Sequence, residues 1–360
     1  MFRPGLGTRS AGGTELRAAC LTDIGVQRRG SVNQDAVMAA EVPGAQLFAV
    51  ADGMGGHAAG ELAAQLALEA FARVLGRQRG PLPQRMIYAA ESANQAVYRR
   101  AVGELSGMGT TLLAAVVSRG ALYLAHVGDS RAYLMRGDAL FRLTDDHSWV
   151  ADQLRAGELT PEQARTHRWR NVVSNALGGE DQVRLELLNI PLEAGDRLLL
   201  CTDGLYGPVS EQKLLTVLSL PRTPQQLTRT LIDLANQAGG PDNISVAVVD
   251  VLNPGGPPPR PLVRRREGPV YAEQLLREAQ QGSPLTYLLL GAVYLVLLTM
   301  ALLPMYRLHT ALVGAGLLGL LLLYRRHWQS PHEAVLRPEA RVTLAQPGHD
   351  PWTETGRLNT

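Results

Sequence analysis

The stretch LFAVADGMGGH at residues 47–57 combines a short apolar run, an aspartate and a glycine-rich loop. Such a run predicts a buried strand, and Asp52 then stands where that strand ends. The same combination of apolar run and aspartate recurs in two later stretches, LLLCTDG at 198–204 and GGPDNISVAVV at 239–249. Because strand ends hold side chains rigidly and leave them open to solvent, Asp52, Asp203 and Asp242 are candidate binding groups. One such aspartate is typically a turn residue, but three of them favour a shared site.

Around these stretches, residues 15–252 alternate apolar runs with amphipathic patterns, which predicts one domain of the α+β class. Two long helices are predicted over 59–75 and 84–102 from apolar residues at helical spacing. Thr160 and Thr223, each followed by proline, have the pattern of helix N-caps. The predicted strands are Gln46–Ala51, Thr111–Ser118, Ala121–Val127, Arg131–Arg136, Arg197–Thr202 and Ile244–Leu252.

Two further aspartates, Asp35 in SVNQD and Asp146 in TDDHSW, extend the acidic set. Carboxylates gathered in one cleft repel each other and raise their pKa values, so they require cations between them. All-oxygen ligands favour hard ions, which here means Mg²⁺ or Mn²⁺. The loop glycines would let backbone, such as the Gly53 carbonyl, approach a metal closely.

The composition excludes several classes of protein. The net charge of +2 over 360 residues provides no basic field for nucleic acid, and 46% apolar residues argue against a disordered chain. Cys20 and Cys201 are the two cysteines, too few for a disulfide scaffold or a four-thiolate zinc site. The loop GMGGH lacks the GK[ST] of a nucleotide-binding P-loop, and no GxSxG nucleophile motif occurs.

Eight motifs follow one another along residues 17–252: SVNQD, DGMGGHAAGE, GMGTT, HVGDSRAY, TDDHSWV, NVVSNALGG, CTDGLYGPVS and PDNISVAVV. Their order resembles that of the metal-dependent (type-2C, PPM) serine/threonine protein phosphatases, and most closely their compact bacterial branch. The resemblance implies a four-layer αββα sandwich with a binuclear metal site at one end of two antiparallel sheets.

The resemblance also implies the metal ligands. Asp52 would bridge two Mn²⁺ or Mg²⁺ ions, and Gly53 would offer its carbonyl to one of them. Asp203 and Asp242 would bind the other ion, and Asp35 would stand at the edge of the site through water. Asp146 would hold a third, weaker ion. By contrast, Asp129 and Arg131 of GDSRAY are interpreted from the sequence as a turn residue and an ion pair.

The implied reaction is direct attack on phosphorus by a water that bridges the metal ions, with His57 as the general acid. Residues 145–179 would form a flap beside the cleft. The phosphate-binding arginine of the family falls at Gly30 in this sequence. Arg29 is the predicted substitute through a one-residue bulge, with Arg28 as the alternative.

The C-terminal third of the chain has a different composition. Residues 253–284 read as a Pro- and Arg-rich linker, and 325–360 as a cytoplasmic tail. Between them, 285–305 and 308–324 are apolar runs of spanning length and predict a transmembrane helical hairpin. Arginines on both sides would keep the catalytic domain in the cytoplasm, at the inner membrane, as a multi-pass protein. Residues 1–14 are predicted to be a flexible lead-in.

The sequence therefore predicts a membrane-anchored protein serine/threonine phosphatase. Its partners would be the membrane and phosphorylated proteins, which a serine/threonine kinase would supply, and no nucleic acid. One alternative is a catalytically silent, phosphatase-like binding module at the membrane. Another is a soluble enzyme in which 285–324 is a packing or dimerisation hairpin.

Overall fold

The structure, a computed structural model, describes residues 7–11, 13–56, 58–255 and 344–345. The described strands are β1 (Gly7–Ala11), β2 (Thr14–Asp23), β3 (Asp35–Val42), β4 (Ala45–Met54), β5 (Gly109–Thr110), β6 (Leu112–Ser118), β7 (Ala121–Val127), β8 (Arg131–Arg136), β9 (Ala139–Arg142), β10 (Glu186–Pro191), β11 (Arg197–Cys201), β12 (Ile244–Asn253) and β13 (Leu344–Ala345). The described helices are α1 (Ala58–Arg77), α2 (Leu82–Tyr98), α3 (Trp149–Ala156), α4 (Pro161–Thr166), α5 (Asp203–Tyr206), α6 (Glu211–Leu218) and α7 (Pro224–Gln237), with 3-10 turns at Val26–Arg28 and Gly103–Leu105.

The strands form two antiparallel sheets. One has the order β1-β2-β12-β11-β8-β9-β13, and the other has the order β10-β7-β6-β4-β3 with β5 added beside β4. Strand β12 is apolar on both faces, because alternate side chains point to opposite sides of a sheet. Ala247 and Val249 join the core between the sheets, whereas Val246 and Val248 pack against α6 and α7.

The second sheet is covered on its outer side by α1, which packs on β3 and β4, and by α2, which contacts β7. The order of layers is therefore helix, sheet, sheet, helix, and the predicted αββα sandwich is confirmed. Both predicted N-caps are also present, since Thr160 and Thr223 each form a capping box with the glutamine three residues later. Helix α2 ends at Tyr98 and not at the predicted residue 102.

The N-terminal prediction needs revision. Residues 7–11 form a strand and pair with β2, with Ala11 opposite Thr14 across a two-residue turn. Gly13 in this turn has a φ of +87°, a conformation that glycine adopts without strain. The glycine-rich composition therefore marks a hairpin turn within 1–14.

The predicted membrane location is corrected. Within the described residues, no helix has the length and apolar character needed to cross a bilayer. Hydropathy shows how a run would partition if it were helical, but it does not establish the helix that must satisfy the backbone in lipid. The two runs themselves, 285–305 and 308–324, lie outside the described residues, as do most of the linker 253–284 and the tail 325–360.

Candidate active site

Five aspartates meet at one end of the two sheets. Asp35 and Asp52 are cross-strand partners in β3 and β4 of one sheet. Asp203 follows β11 and Asp242 precedes β12, which are neighbours in the other sheet. The Thr202 hydroxyl joins the two sheets by donating to Asp35 Oδ2 at 2.7 Å. Asp129 completes the group, just after β7. These five residues are called the acidic cluster below.

Ionisation of all the carboxyl groups in the acidic cluster is unfavourable in the absence of bound cations. Burial raises the pKa of Asp35 to about 7, of Asp129 to about 8 and of Asp203 to about 6, and the neighbouring carboxylates contribute to each rise. Burial and the same neighbours raise the pKa of Asp52 well above its ordinary value. Like charges in a poorly solvated site retain protons unless cations neutralise them. The donor set, which consists of carboxylate oxygens, therefore fits hard divalent cations.

Glycines bring the backbone segments of the site close together. A Cβ at Gly53 would lie 1.9 Å from the Gly60 carbonyl oxygen, so glycine is needed where β4 meets α1. A Cβ at Gly204 would lie 2.0 Å from the Asn243 carbonyl oxygen. The close approach at Gly204 brings Asp203 near Asp242, and the repulsion between them helps to raise the pKa of Asp203 after the effect of burial.

The structure distinguishes the two candidate arginines. Arg28 donates from Nε at 3.0 Å and from Nη2 at 2.7 Å to Asp242 Oδ1, at the rim of the acidic cluster. Arg29 lies in the next position with an exposed side chain, and Gly30 follows with a φ of +91°. The predicted general acid, His57, lies outside the described residues.

Asp146 and Asp129 differ from their sequence interpretations. The structure places Asp146 against Arg131, which donates from Nε at 2.9 Å and from Nη2 at 2.7 Å to its two oxygens. Burial alone would raise the pKa of Asp146, but Arg131 outweighs it and the pKa lies below its ordinary value. Asp129 was interpreted as a turn residue and is instead part of the acidic cluster. It shares its signal with Asp52 and Asp203, an aspartate beside glycine after an apolar run.

A second group of titratable side chains lies close by. Glu186 Oε2 is 3.1 Å from His126 Nδ1, and Glu186 Oε1 is 3.2 Å from His147 Nε2. The spacing of these three residues would suit a metal ion. However, His147 Nδ1 accepts from the Gly128 amide at 3.1 Å and lies 2.9 Å from Asn175 Nδ2. The neutral ring must then carry its proton on Nε2, and a protonated nitrogen cannot bind a metal.

We therefore interpret this group as a clamp in which His126 forms a hydrogen bond with Glu186 and His147 makes a close polar contact with it. Burial lowers the pKa of His147, which favours its neutral form. Burial would raise the pKa of Glu186, but hydrogen bonds from His126 and His147 outweigh it and hold the pKa well below the usual range. His147 begins the flap, His126 lies on β7 and Glu186 on β10, so the clamp ties the flap to a central sheet.

Comparisons with known proteins identify relatives of this chain. Residues 25–252 match the profile of the family described as Protein phosphatase 2C. The serine/threonine protein phosphatase PstP of Mycobacterium tuberculosis is 42% identical over 241 residues, which is 66% of this chain and 45% of PstP. The chain therefore spans less than half the length of that relative.

Solved structures agree with the sequence relatives. The serine/threonine phosphatase of S. agalactiae has a TM-score of 0.63 and 36% identity, and the match covers 66% of this chain and 99% of that one. The catalytic domain of PstP in complex with two manganese ions has a TM-score of 0.59 and 39% identity, with 66% and 99% covered. These levels of identity extend the likeness beyond the fold alone.

Proposed function

The chain belongs to the protein phosphatase 2C family, and from this membership we propose that it hydrolyses phosphoserine and phosphothreonine in proteins. The resemblance seen in the sequence motifs is thereby confirmed. The observation that carries the proposal is the acidic cluster, whose buried carboxylates require cations of the kind this reaction uses. Phosphorylated proteins are the corresponding substrates, and a serine/threonine kinase is the class of enzyme that must supply them.

The predicted cofactor, Mn²⁺ or Mg²⁺, is confirmed as that of the family, and a relative was solved with two manganese ions. In this chain Asp52, Asp203 and Asp242 would hold the two ions, with the Gly53 carbonyl, and with Asp35 at the edge. Such ions activate a water molecule and neutralise charge on the phosphoryl oxygens. For a third ion we assign Asp129 in place of Asp146, because Asp129 interacts with Asp203 whereas both oxygens of Asp146 are bound by Arg131.

The remaining roles belong to side chains that position the substrate. Arg28 is about 42% exposed at its side chain, so a phosphate group can reach it at the rim beside Asp242. A guanidinium binds phosphate oxygens through paired N–H donors and orients the phosphorus toward the acidic cluster. We assign this role to Arg28, with Arg29 as the less favoured candidate. His57 is proposed to protonate the leaving serine or threonine oxygen.

The test is metal-dependent hydrolysis by the full chain. With Mn²⁺ it should hydrolyse both an aryl phosphate and a phosphothreonine peptide, and excess EDTA should abolish both activities. Asp52→Asn should lower kcat/KM by at least roughly 100-fold, since even the loss of groups around a metal ligand costs up to this factor. Asp138→Asn is the matched control, because Asp138 is exposed in the β8–β9 turn.

The competing function is that of a silent phosphoprotein-binding module. It would be favoured if the wild-type chain bound the phosphothreonine peptide but showed no Mn²⁺-dependent turnover. The presence of Asp52, Asp203 and Asp242 together in the acidic cluster supports the enzyme instead.

A further inference from the structure

Positive charge is concentrated in the second half of the flap, although residues 145–179 as a whole contain four arginines and five acidic residues. Residues 163–179 contain three arginines, Arg165, Arg168 and Arg170, and no acidic residue. All three arginine side chains are exposed. Among the described residues, the ion pairs involve other arginines, and none joins these three to a carboxylate. Three like charges that are close together in sequence and have no carboxylate partner among the described residues favour an acidic ligand.

A cluster of aromatic rings lies beside these arginines, and one of the arginines, Arg168, packs on it. Trp149 stacks on His167 with ring centroids 4.6 Å apart, and it meets Trp169 edge-on at the same distance. The Arg168 guanidinium lies over the Trp169 ring, 4.6 Å from its centroid. Trp169 nevertheless remains 41% exposed. Arg165, Arg168, Trp169 and Arg170 are called the flap patch below.

Both ends of the flap are anchored beside the acidic cluster. At one end, the His147 amide donates to the Gly128 carbonyl at 2.8 Å, next to Asp129. At the other end, Leu177 exchanges two backbone hydrogen bonds with Thr110, whose hydroxyl donates to the Asp52 carbonyl at 2.9 Å. The Trp149 amide donates to the Val172 carbonyl at 2.8 Å and joins the first and last parts of the flap. The flap patch therefore belongs to a segment that begins and ends at the acidic cluster.

The separation between the two sites can be bounded. With about 3.8 Å per Cα step and about 5.5 Å across the His147–Gly128 pair, the Cα atoms of Asp129 and Trp149 are within about 17 Å along this backbone route. The Trp149 ring in turn contacts Trp169 of the flap patch. An extended peptide covers this distance in about five residues. A substrate chain whose phosphorylated residue is at the acidic cluster can thus place its flanking residues at the flap patch.

We propose that the flap patch docks acidic or phosphorylated side chains about three to five residues from the phosphorylated residue of the substrate. The proposal rests on the phosphatase function and specifies its substrate class. Arginine forks bind carboxylate and phosphate groups, and the exposed Trp169 ring offers an apolar surface to the peptide backbone. The positive flap patch also offsets the repulsion that an acidic peptide would meet near the carboxylates of the cluster.

The test compares peptides that differ only in flanking charge. The full chain with Mn²⁺ is given a phosphothreonine peptide with three aspartates three to five residues away, on either side, and the same peptide with asparagines. We expect kcat/KM to be about 10-fold higher for the acidic peptide, mainly through KM, and the preference to shrink at high salt because exposed charges are screened.

Two sets of substitutions locate the effect. Arg168→Ala with Arg170→Ala should reduce the preference by roughly 2- to 5-fold per arginine, the range of exposed charge pairs. Arg168→Glu with Arg170→Glu should invert it, so that a lysine-flanked peptide becomes the better substrate. A misfolded flap could not produce this gain. Arg229→Glu reverses one charge at an exposed position of α7, half the charge change of the double variant, and should leave the preference unchanged.

The outcomes separate the two proposals. Hydrolysis of an aryl phosphate, which is too small to reach the flap patch, reports the phosphatase function alone. If it is present but the acidic preference is absent or survives charge reversal, docking is overturned and the phosphatase function stands. Binding of a single-stranded oligonucleotide that is lost on charge reversal, with peptide KM unchanged, would also overturn the docking proposal. Absence of any Mn²⁺-dependent hydrolysis would overturn the phosphatase function.

Discussion

The pKa values of the carboxyl groups shift upward in the acidic cluster and downward in the residues beside it. In the cluster, burial and like charges raise the pKa values of Asp35, Asp129 and Asp203. Beside the cluster, Asp146 faces Arg131 and Glu186 faces two histidines, and the pKa values of both carboxyls are lowered. These two carboxylates with their partners are called the paired region. Desolvation acts to raise the pKa in both regions, although the Glu186 side chain is 44% exposed, so the partners decide the direction of the shift.

The contrast shows why bound metal ions are needed in one region and not in the other. The paired region contains its own donors, and Arg131 also lies 3.8 Å from the centre of the Tyr206 ring. The acidic cluster offers oxygens and few compensating charges, so its neutralisation has to come from bound ions or protons. Arg131 contributes to both regions, since it pairs with Asp146 and also counteracts, after burial, the raised pKa of Asp129.

Removing the internal cation should have the largest effect on stability. Arg131→Met leaves Asp146 buried without its partner and should lower the free energy of unfolding by about 3–5 kcal/mol. Urea unfolding at neutral pH measures it. Arg131→Met combined with Asp146→Leu should recover most of the loss, because no unpaired charge is left. A loss below about 1 kcal/mol in the single variant would break the contrast between the two regions.

The next largest effect should be on the pH dependence of stability, which we expect to differ between the metal-free and the metal-bound chain. In EDTA, the raised pKa values mean that the folded chain holds more protons than the unfolded chain between about pH 4 and 8. Stability should therefore be highest below the unfolded pKa and fall as pH rises through this window. With Mn²⁺ at about 100 times its Kd, stability should instead gain about 2.7 kcal/mol near pH 8, where the carboxylates are ionised.

The carboxyl groups of the paired region should change stability with pH in the opposite direction. Lowered pKa values give Asp146 and Glu186 a stabilising effect that is present above the unfolded pKa and lost as pH falls through the folded values. Urea midpoints at about pH 5, 6.5 and 8, with and without metal, test the first window. Burial of neutral His147 acts in the opposite direction below about pH 6.5. A metal-free chain that becomes more stable between about pH 6.5 and 8 would therefore contradict our account of the acidic cluster.

The smallest effect on stability is expected at the rim. Arg28 and Asp242 are 42% and 39% exposed at their side chains, so Arg28→Ala should cost less than about 1 kcal/mol. If Arg28 binds phosphate, however, the inhibition constant of inorganic phosphate should rise about 10-fold. Arg29→Ala is the matched comparison. A larger rise in Arg29→Ala would reassign the phosphate contact to Arg29.

Much of the fold could be predicted from periodicity along the chain. Strand β7 has the predicted bounds, Ala121–Val127, and β12 ends one residue beyond the prediction. Strand β3, DAVMAAEV, was missed because its alanines and acidic residues have little intrinsic preference for strands. Its extended conformation is instead stabilised by pairing with β4, a tertiary contact that the local sequence does not indicate. Helix α6 was missed although Ser210 caps it, a local signal that could have found it.

The limits were different at the site. The sequence by itself determined that aspartates stand at strand ends, because strand periodicity and Asp-Gly turns are local properties of the chain. Only the tertiary structure decided which aspartate gains a cation, since Asp129 and Asp146 each follow a strand and their local sequences do not name their partners. Arg131 is two residues from Asp129 in sequence, yet it binds Asp146, fifteen residues away. Electrostatic pairing depends on distance and solvent exposure in space, and neither can be read from separation along the chain.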